Sequence, residues 1–325
     1  MTSVDIIIPY YNTRKFLNRV LGSIVMQDVD DILLQVLLID DCSTETFEDV
    51  IEKFKPLLNV KIIHAPVNAG PGVARQIGID NSEADYLMFI DSDDILSMPN
   101  AVSMCVKIAK DNSADIVICD FNEEIDGGFY THTKDQTFMH GKMYRTAFLK
   151  ENNIRFNESR TNEDGVFNAI AITLSKGTVF YGCPIYQWCN NANSTVRSCD
   201  YLGGFIHTFV INAKHAYREL YKRKVADDLL GALVMKYATT MYGYYLDFLN
   251  QYDQDYLDKY LSCVQDFMDN THFFAYYHRT TRDELKRLVS TNDIVKQNIK
   301  QSSMQFDEFV ELINKFKNKE RWMRL

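Results

Sequence analysis

Three carboxylates follow an apolar run near residue 91. The run Tyr86–Ile90 reads as a buried strand, and Asp91, Asp93 and Asp94 come directly after it. Carboxylates crowded at the end of a buried strand repel one another and lose hydration unless a cation lies among them. Mg²⁺ and Mn²⁺ prefer oxygen ligands and keep positions for substrate phosphates. The cluster therefore predicts a metal and a phosphorylated substrate, with an Asp-rich turn or helix cap as the structural alternative.

The elements that must position this cluster alternate between strand and helix over the first 120 residues. Short β-branched runs predict strands at Val4–Pro9, Gln35–Asp40, Val60–Ala65, Tyr86–Asp91 and Asp115–Asp120. Helical spacing lies between them, at Lys15–Met26, Phe47–Lys55, Val73–Asn81 and Pro99–Ala109. This alternation is typical of an α/β fold, with a largely parallel sheet and helices on both faces.

Ligands of such sheets bind beyond the carboxyl ends of the strands. Polar residues follow three of the predicted strands at these ends: Pro9-Tyr10-Tyr11-Asn12, Asp40-Asp41 and Asp91-Ser92-Asp93-Asp94. Their convergence at one edge predicts a single site.

The rest of the chain changes character twice. Residues 121–198 are mixed, with a turn at 126–128, helices at Tyr144–Asn152 and Asp164–Ser175, and short strands at Thr178–Tyr181 and Ile185–Trp188. From about 200 onward apolar residues recur at helical spacing, which predicts a helical region and a boundary near Asp200.

Composition narrows the class of protein. The 35 basic and 44 acidic residues give a net charge of −9, which does not favour a surface devoted to nucleic acid. The seven cysteines are scattered, without a CxxC pair, and favour a reducing compartment over disulfides or a zinc cluster. Met1 leads directly into VDIIIP, and no apolar stretch is long enough to cross a bilayer. We therefore expect a cytoplasmic protein without a signal peptide.

Taken in order, several blocks resemble the family 2 glycosyltransferases of the GT-A fold. They are IIIPYYN (6–12), LLIDDCST (37–44), NAGPGVARQIGI (68–79), FIDSDD (89–94), HGKMYR (140–145), NEDGVFN (162–168) and YQWCNNANSTVRS (186–198). The resemblance implies a GT-A catalytic domain over 1–198, with a nucleotide-binding half at about 1–120 and an acceptor half at about 121–198. A helical domain over 199–325 follows it. The implied reaction is metal-dependent transfer of a sugar, with inversion, from a nucleoside diphosphate sugar to a hydroxyl group.

The resemblance also implies roles for the residues near the metal. Asp93 is the predicted ligand of Mn²⁺ or Mg²⁺, while Asp91 holds the ribose of the nucleotide or shares the metal. Ser92 is predicted to line the nucleotide-sugar site, and Asp94 to orient the loop.

In similar enzymes Pro9 and Tyr11 line the nucleoside pocket, and Asp41 accepts a hydrogen bond from the base, which favours UDP. Arg75 is predicted to lie near the nucleotide, with a salt bridge to Asp41 or Asp91 as the structural alternative.

Inversion requires a base for the acceptor hydroxyl. The resemblance assigns Asp164 as that base and Glu163 as its neighbour or a contact of the acceptor sugar; a plain helix start is the alternative. His140 and Lys142 could approach the diphosphate or the acceptor, but a structural role is the prediction for such a lone loop histidine.

Partners are less well defined by the sequence. A glycan or lipid-linked glycan is the predicted acceptor, with a modified DNA base or a catalytically inactive sugar-nucleotide-binding protein as alternatives. A nucleotidyltransferase is disfavoured, because no glycine-rich activating loop follows the first strand. The last twelve residues carry five basic side chains against one acidic. They could contact an anionic membrane peripherally, at its inner face, or pack on their own domain.

Overall fold

A computed structural model describes residues 1–191, 206–249, 251–299 and 304–323, with side chains at all of these except 206–207 and 317–323. The chain divides into two compact units, 1–198 and 199–325. The end of the motif at 186–198 lies outside the described residues, as do most side chains of the basic tail.

The first unit contains both strands and helices. In chain order they are β1 (Thr2–Tyr10), α1 (Arg14–Val25), β2 (Ile32–Asp40), α2 (Glu48–Phe54), β3 (Asn59–His64), α3 (Pro71–Asn81), β4 (Tyr86–Phe89), β5 (Ile95–Leu96), α4 (Ala101–Asp111), β6 (Ile116–Ile125), β7 (Gly128–His132), β8 (Lys142–Arg145), α5 (Thr146–Glu151), α6 (Glu163–Leu174) and β9 (Thr178–Trp188).

The nine strands form one sheet in the order β3-β2-β1-β4-β8-β6-β9-β5, and β7 pairs with β6. Parallel pairing joins β1 to β2 and β4, β2 to β3, and β6 to β9. Antiparallel pairing joins β8 to β4 and β6, β7 to β6, and β5 to β9. The predicted α/β fold is confirmed, and the antiparallel pairings of its second half make the sheet mixed.

Burial in this unit follows the sequence pattern. Every residue of β1 from Val4 to Tyr10 is buried, as expected for a strand covered on both faces. Helix α1 contributes a stripe at spacings of three and four residues: Leu17, Val20, Leu21 and Ile24. Because the faces of the sheet are covered, the strand ends remain as the place for polar chemistry.

Two expectations for residues 121–198 are wrong in detail. The helix predicted from Tyr144 begins only at Thr146, because 142–145 is the strand β8 between β4 and β6. The two short strands predicted near 178 and 188 are one strand, β9. Its register against β6 shifts around Asp120, which pairs with Pro184 after Cys119 pairs with Tyr181. The irregularity at 182–184 accounts for the interrupted pattern in the sequence.

The second unit is helical where it is described, as predicted. Its helices are α7 (Ile206–Lys222), α8 (Asp227–Phe248), α9 (Gln254–Asn270), α10 (Phe273–Arg279), α11 (Arg282–Thr291), α12 (Asp293–Asn298) and α13 (Phe306–Met323). On α13, Phe309 and Ile313 are buried, and the Phe309 ring contacts Tyr242 and Tyr245 of α8. These apolar residues of α13 therefore pack inside this unit. Among the described helices, none combines the length and apolar character needed to cross a bilayer.

Candidate active site

The loops after β1, β2 and β4 form one rim at the carboxyl ends of the parallel strands. Asn12, in the left-handed conformation (φ 50°), accepts hydrogen bonds through Oδ1 from the N–H groups of Thr44 (2.9 Å) and Glu45 (3.3 Å). The hydroxyl groups of Thr13 and Ser92 lie 2.7 Å apart. The three polar loops predicted to converge are thus joined by direct hydrogen bonds.

The two adjacent acids after β2 serve different neighbours. Asp40 Oδ2 lies 2.9 Å from Nδ1 of His64 at the end of β3. The Asp41 carboxylate accepts hydrogen bonds from the backbone N–H groups of Ala69 (2.9 Å) and Gly70 (2.8 Å). Gly70 has φ 93°, a conformation that favours glycine, so Asp41 fixes the turn that leads into α3.

Arg75 of α3 is buried, with 3% of its surface exposed, and bridges three carboxylates. Its Nη2 donates a hydrogen bond to Asp91 (2.7 Å), which is one of the two salt bridges predicted for this residue. Its Nη1 donates to Glu163 (2.9 Å) and Asp164 (2.7 Å). Asp91, predicted to hold the donor, and the predicted base dyad therefore surround a single guanidinium group.

Asp91, Asp94 and His140 form a second group beside this cation. One ligand atom from each lies within 4.8 Å of the other two. His140 Nε2 is 3.6 Å from Asp91 Oδ2 and 3.7 Å from Asp94 Oδ2. Two carboxylates and one imidazole are a donor set that fits Mn²⁺ or a similar divalent ion.

The electrostatics of the group also fit a cation. Burial, together with the charges of Asp91 and Asp93, raises the pKa of Asp94 well above its ordinary value. Burial also raises the pKa of Asp93. For Asp91, burial opposes ionisation, but the Arg75 guanidinium and the His140 ring lower its pKa. Arg75 compensates only one of these acids, so a bound cation would relieve the remaining repulsion.

Tyr186 of β9 connects Asp91 and Asp94 through its hydroxyl group. Its hydroxyl donates to Asp94 Oδ2 (2.6 Å) and accepts from the Asp91 N–H (3.2 Å). The Cys189 N–H donates to the other oxygen of Asp94 (2.8 Å). The Tyr186 ring stacks on the His140 ring, with centroids 4.6 Å apart and an interplanar angle of 17°. Strand β9 and the residue that follows it thus support the acidic loop after β4.

Three residues predicted for the donor site do not belong to this group. Asp93 lies outside the three-residue group, and its Oδ2 accepts a hydrogen bond from the Asn191 amide (2.7 Å). Tyr11 lies on the rim with 47% of its surface exposed. Pro9 is buried in β1, opposite Ile39 of β2.

The predicted base dyad begins α6. Glu163 is buried, and Asp164 is partly buried. One oxygen of Asp164 accepts from Arg75, while its Oδ2 has no hydrogen-bond partner among the described residues. Burial raises the pKa of Asp164 to about 7, with Arg75 opposing the shift and Glu163 adding to it. A carboxylate with one oxygen oriented and the other open is suited to accept a proton near neutral pH.

Sequence reasoning missed the position of His140. A structural role was the prediction for this residue, and the structure brings it to the acidic group instead. The tight turn at Gly141, with φ 65°, precedes β8, and this strand was not predicted. The HGKMYR block is the signal that contained the residue, but without β8 nothing placed that block next to β4. Lys142, by contrast, is buried at 1% exposure, as a structural residue would be.

The fold and the acidic group at its strand ends define the GT-A class of glycosyltransferases. Residues 5–165 match the model of glycosyl transferase family 2, and over these residues the chain belongs to that family. The resemblance predicted from the motifs is confirmed.

Similar proteins come from several bacteria. Over 203 residues the chain is 27% identical to poly(ribitol-phosphate) beta-N-acetylglucosaminyltransferase TarS of Staphylococcus aureus. The aligned region covers 56% of this chain and 35% of TarS. It is 24% identical over 258 residues to glycosyltransferase GlyG of Streptococcus pneumoniae, covering 71% of this chain and 82% of GlyG. The chain thus spans about a third of the length of TarS.

Solved structures share the fold. The crystal structure of S. aureus TarS 1-349 in complex with UDP-GlcNAc superposes with a TM-score of 0.71 at 19% identity, covering 98% of this chain and 92% of that one. Mannosyltransferase PcManGT from Pyrobaculum calidifontis, in complex with GDP-Man and Mn²⁺, gives a TM-score of 0.51 at 13% identity, covering 92% and 83%.

Proposed function

We propose that this protein is a metal-dependent inverting glycosyltransferase that moves a sugar from a UDP-sugar to a hydroxyl group of a polymeric acceptor. The observation that carries the proposal is the position of Arg75. Its guanidinium is 2.7 Å from both Asp91 and Asp164, the residues assigned to the donor and to the base. The donor phosphate and the acceptor hydroxyl would therefore lie close together, on either side of this guanidinium group.

Asp164 is the general base of the proposed reaction. Its Oδ2 takes the proton of the acceptor hydroxyl as the oxygen attacks the anomeric carbon of the donor sugar. The bond between that carbon and the diphosphate oxygen breaks, and UDP leaves with the electron pair. Arg75 orients Asp164 through Oδ1, and Glu163 shares the same guanidinium group. The attack from the opposite face gives inversion.

Asp91, Asp94 and His140 are the residues that would hold Mn²⁺ or Mg²⁺, and Asp93 remains a predicted ligand from the resemblance. Bound there, the ion would neutralise charge that develops on the departing diphosphate. The partly buried Asp91, the buried Asp94 and the adjacent imidazole support this assignment. The Mn²⁺ bound by the archaeal mannosyltransferase of the same fold supports it further.

The nucleotide would lie along the rim formed by the loops after β1 and β2. Tyr11 is exposed there and would contact the base. Pro9 and Ser92 are buried, and their place at the pocket is proposed from the resemblance alone. Asp41 is the proposed partner of the uracil N–H group, since its oxygens have lone pairs beyond those used by the backbone at 69–70. The UDP-GlcNAc bound by TarS supports a UDP-sugar as donor.

The acceptor is proposed from the relatives. TarS is named for N-acetylglucosaminyl transfer to poly(ribitol-phosphate), and a Bacillus spizizenii relative for glucosyl transfer to the same polymer. A polyol-phosphate chain or related glycan polymer is therefore the acceptor class that we propose.

The test combines nucleotide binding with turnover. A thermal-shift panel of UDP, GDP, CDP, ADP and dTDP, with and without Mn²⁺, is run on the wild type, Asp91→Asn and Asp164→Asn. We expect Mn²⁺-dependent stabilisation by UDP, of about 2.7 kcal/mol at a ligand concentration 100 times its Kd. Asp91→Asn should lose it, and Asp164→Asn should keep it.

Turnover is then measured as release of UDP from UDP-sugars in the presence of poly(ribitol-phosphate). Asp164→Asn should abolish release while binding persists. If the wild type binds UDP but turns over none of the UDP-sugars tested, the result would favour a catalytically inactive sugar-nucleotide-binding protein. The absence of a shift with every nucleotide would refute the transferase proposal.

A further inference from the structure

His140 stands on the segment between β7 and β8, and two buried polar side chains hold that segment. They are Asn168 of α6 and Lys142 of β8, which are 0% and 1% exposed. Burying an amide or ammonium group costs free energy of folding unless the group makes its hydrogen bonds. The hydrogen-bond partners of these two side chains therefore indicate which part of the structure they hold in place.

Asn168 uses both ends of its amide. Its Nδ2 donates to the carbonyl oxygens of Thr137 (2.9 Å) and Phe138 (3.0 Å), on the segment that carries His140. Its Oδ1 accepts from the hydroxyl of Tyr144 (2.6 Å), on β8. Asn168 also lies four residues after Asp164 on the same helix, so the two side chains share a face of α6.

Lys142 reaches the same carbonyl from the other side. Its ammonium group donates to the Phe138 oxygen (2.5 Å) and lies 3.4 Å from the His140 oxygen and from the Asp135 carboxylate. Asp135 in turn accepts from the N–H groups of Thr137 (2.9 Å) and Phe138 (2.8 Å). The backbone just before His140 is thereby held by an amide, an ammonium group and a carboxylate.

We propose that Asn168 and Lys142 are positioning residues that hold His140 against Asp91 and Asp94 and so set the affinity of the metal site. The inference rests on the proposed metal role of that group. It assigns to α6 a second task beside presenting Asp164, because the same helix then fixes both the base and the imidazole ligand.

The two residues reach the metal only through the placement of His140. The imidazole has its Nε2 toward the carboxylates, while its buried Nδ1 has no hydrogen-bond partner among the described residues. Partners of a ligating histidine ordinarily bond to that second nitrogen. Here the ring is oriented by stacking on Tyr186 and by the backbone that Asn168 and Lys142 hold. Loss of either anchor should therefore weaken metal binding while leaving the nucleotide rim intact.

The test measures binding of Mn²⁺ itself, from the loss of the free-ion signal in electron paramagnetic resonance, in the presence of UDP. The variants are Asn168→Asp, which replaces the donating amide by an acceptor, and Lys142→Met, which keeps the apolar stem. Each is expected to raise the Kd for Mn²⁺ roughly 10- to 100-fold, the range found for groups that orient metal ligands. Affinity for UDP at saturating Mn²⁺ should be unchanged, and excess Mn²⁺ should restore kcat.

Asn298→Asp is the matched control. Asn298 is also a buried amide that donates to a backbone carbonyl, that of Ile294 (3.0 Å), but it lies in the second unit. It should bind Mn²⁺ like the wild type. His140→Ala separates the two proposals. If it weakens Mn²⁺ binding and both anchor variants bind like the wild type, the positioning role is refuted while the metal site stands. If the wild type itself binds no Mn²⁺ with UDP, the proposed metal role fails.

Discussion

Gly72→Ala is a sharp test of how closely α3 packs against the start of α6. A Cβ at residue 72 would lie 2.9 Å from Glu163 Cγ and 3.2 Å from the Asn157 carbonyl oxygen. Carbon atoms in contact sit about 3.5–4.0 Å apart, so Glu163 must retreat by about 0.6 Å or more. Its hydrogen bond from Arg75 is 2.9 Å long and would stretch to the limit of such bonds, about 3.5 Å.

The magnitude follows from two opposing effects. Overpacking lowers the free energy of unfolding by about 1–3 kcal/mol. Replacing glycine by alanine in a helix raises it by about 0.5–1 kcal/mol. We expect a net loss of about 1–2 kcal/mol in the free energy of unfolding. Displacement of the dyad should also lower kcat roughly tenfold, while the affinity for UDP changes little.

Gly22→Ala supplies the matched control. Gly22 is also a helical glycine, in α1, but a Cβ there would meet nothing within 4 Å. The same substitution should therefore stabilise the protein by about 0.5–1 kcal/mol and leave kcat unchanged. Both variants are measured by urea denaturation and by steady-state kinetics.

A double-mutant cycle identifies the contact responsible. Glu163→Ala removes Cγ, so Gly72→Ala should cost less stability in that background, by at least about 0.5 kcal/mol. An equal cost in both backgrounds would refute the reasoning and leave the Asn157 carbonyl as the obstacle. Opposite signs for Gly22 and Gly72 are the central expectation, and equal signs would contradict it.

Three further predictions concern ionisation, the metal and the tail. Because burial raises the pKa of Asp164 to about 7, kcat/KM should be high above that pH and fall as the pH drops through it, since the base must be ionised; a flat pH profile around 7 would contradict this. Asp94→Asn should weaken Mn²⁺ binding at least about tenfold, and more than Asp93→Asn does, because Asp94 belongs to the three-residue group and Asp93 does not. Both affinities are measured by calorimetric titration, and a larger loss in Asp93→Asn would indicate that Asp93 is the main ligand. For the basic tail at 314–325, salt-sensitive sedimentation of the full chain with anionic vesicles, lost in a chain ending at 313, would indicate membrane contact, whereas equal sedimentation of the two chains would indicate that the tail packs on its own domain.

The parallel half of the sheet could be predicted from the sequence because local pattern determines it. Each strand there is a short apolar run, and three of them, β1, β2 and β4, are followed by the polar residues of the rim. The dyad at 163–164 and Arg75 were likewise singled out as site residues. Their contact was not foreseen, because it depends on the angle at which α3 meets α6, and this is a tertiary property absent from local spacing.

Strands β8 and β9 were predicted poorly for a physical reason. Strand β8 has only four residues, and the helical pattern of α5 follows it without a break. Strand β9 contains an irregularity that hides its continuity. Short strands are stabilised by pairing with neighbours rather than by their own pattern, so sequence spacing carries little signal for them.

That difference explains why the acidic loop was found and its partners were not. Asp91 and Asp94 follow a strand of the parallel half, whereas Tyr186 and His140 come from β9 and from the turn before β8. The loop after β4 presents the carboxylates, while the turn before β8 supplies the imidazole and β9 supplies the hydroxyl that complete the group. An acidic motif after a strand is therefore an incomplete description of such a site. The remaining partners should be sought on the strands that lie beyond β4 in the sheet, and here those are β8, which is next to β4, and β9.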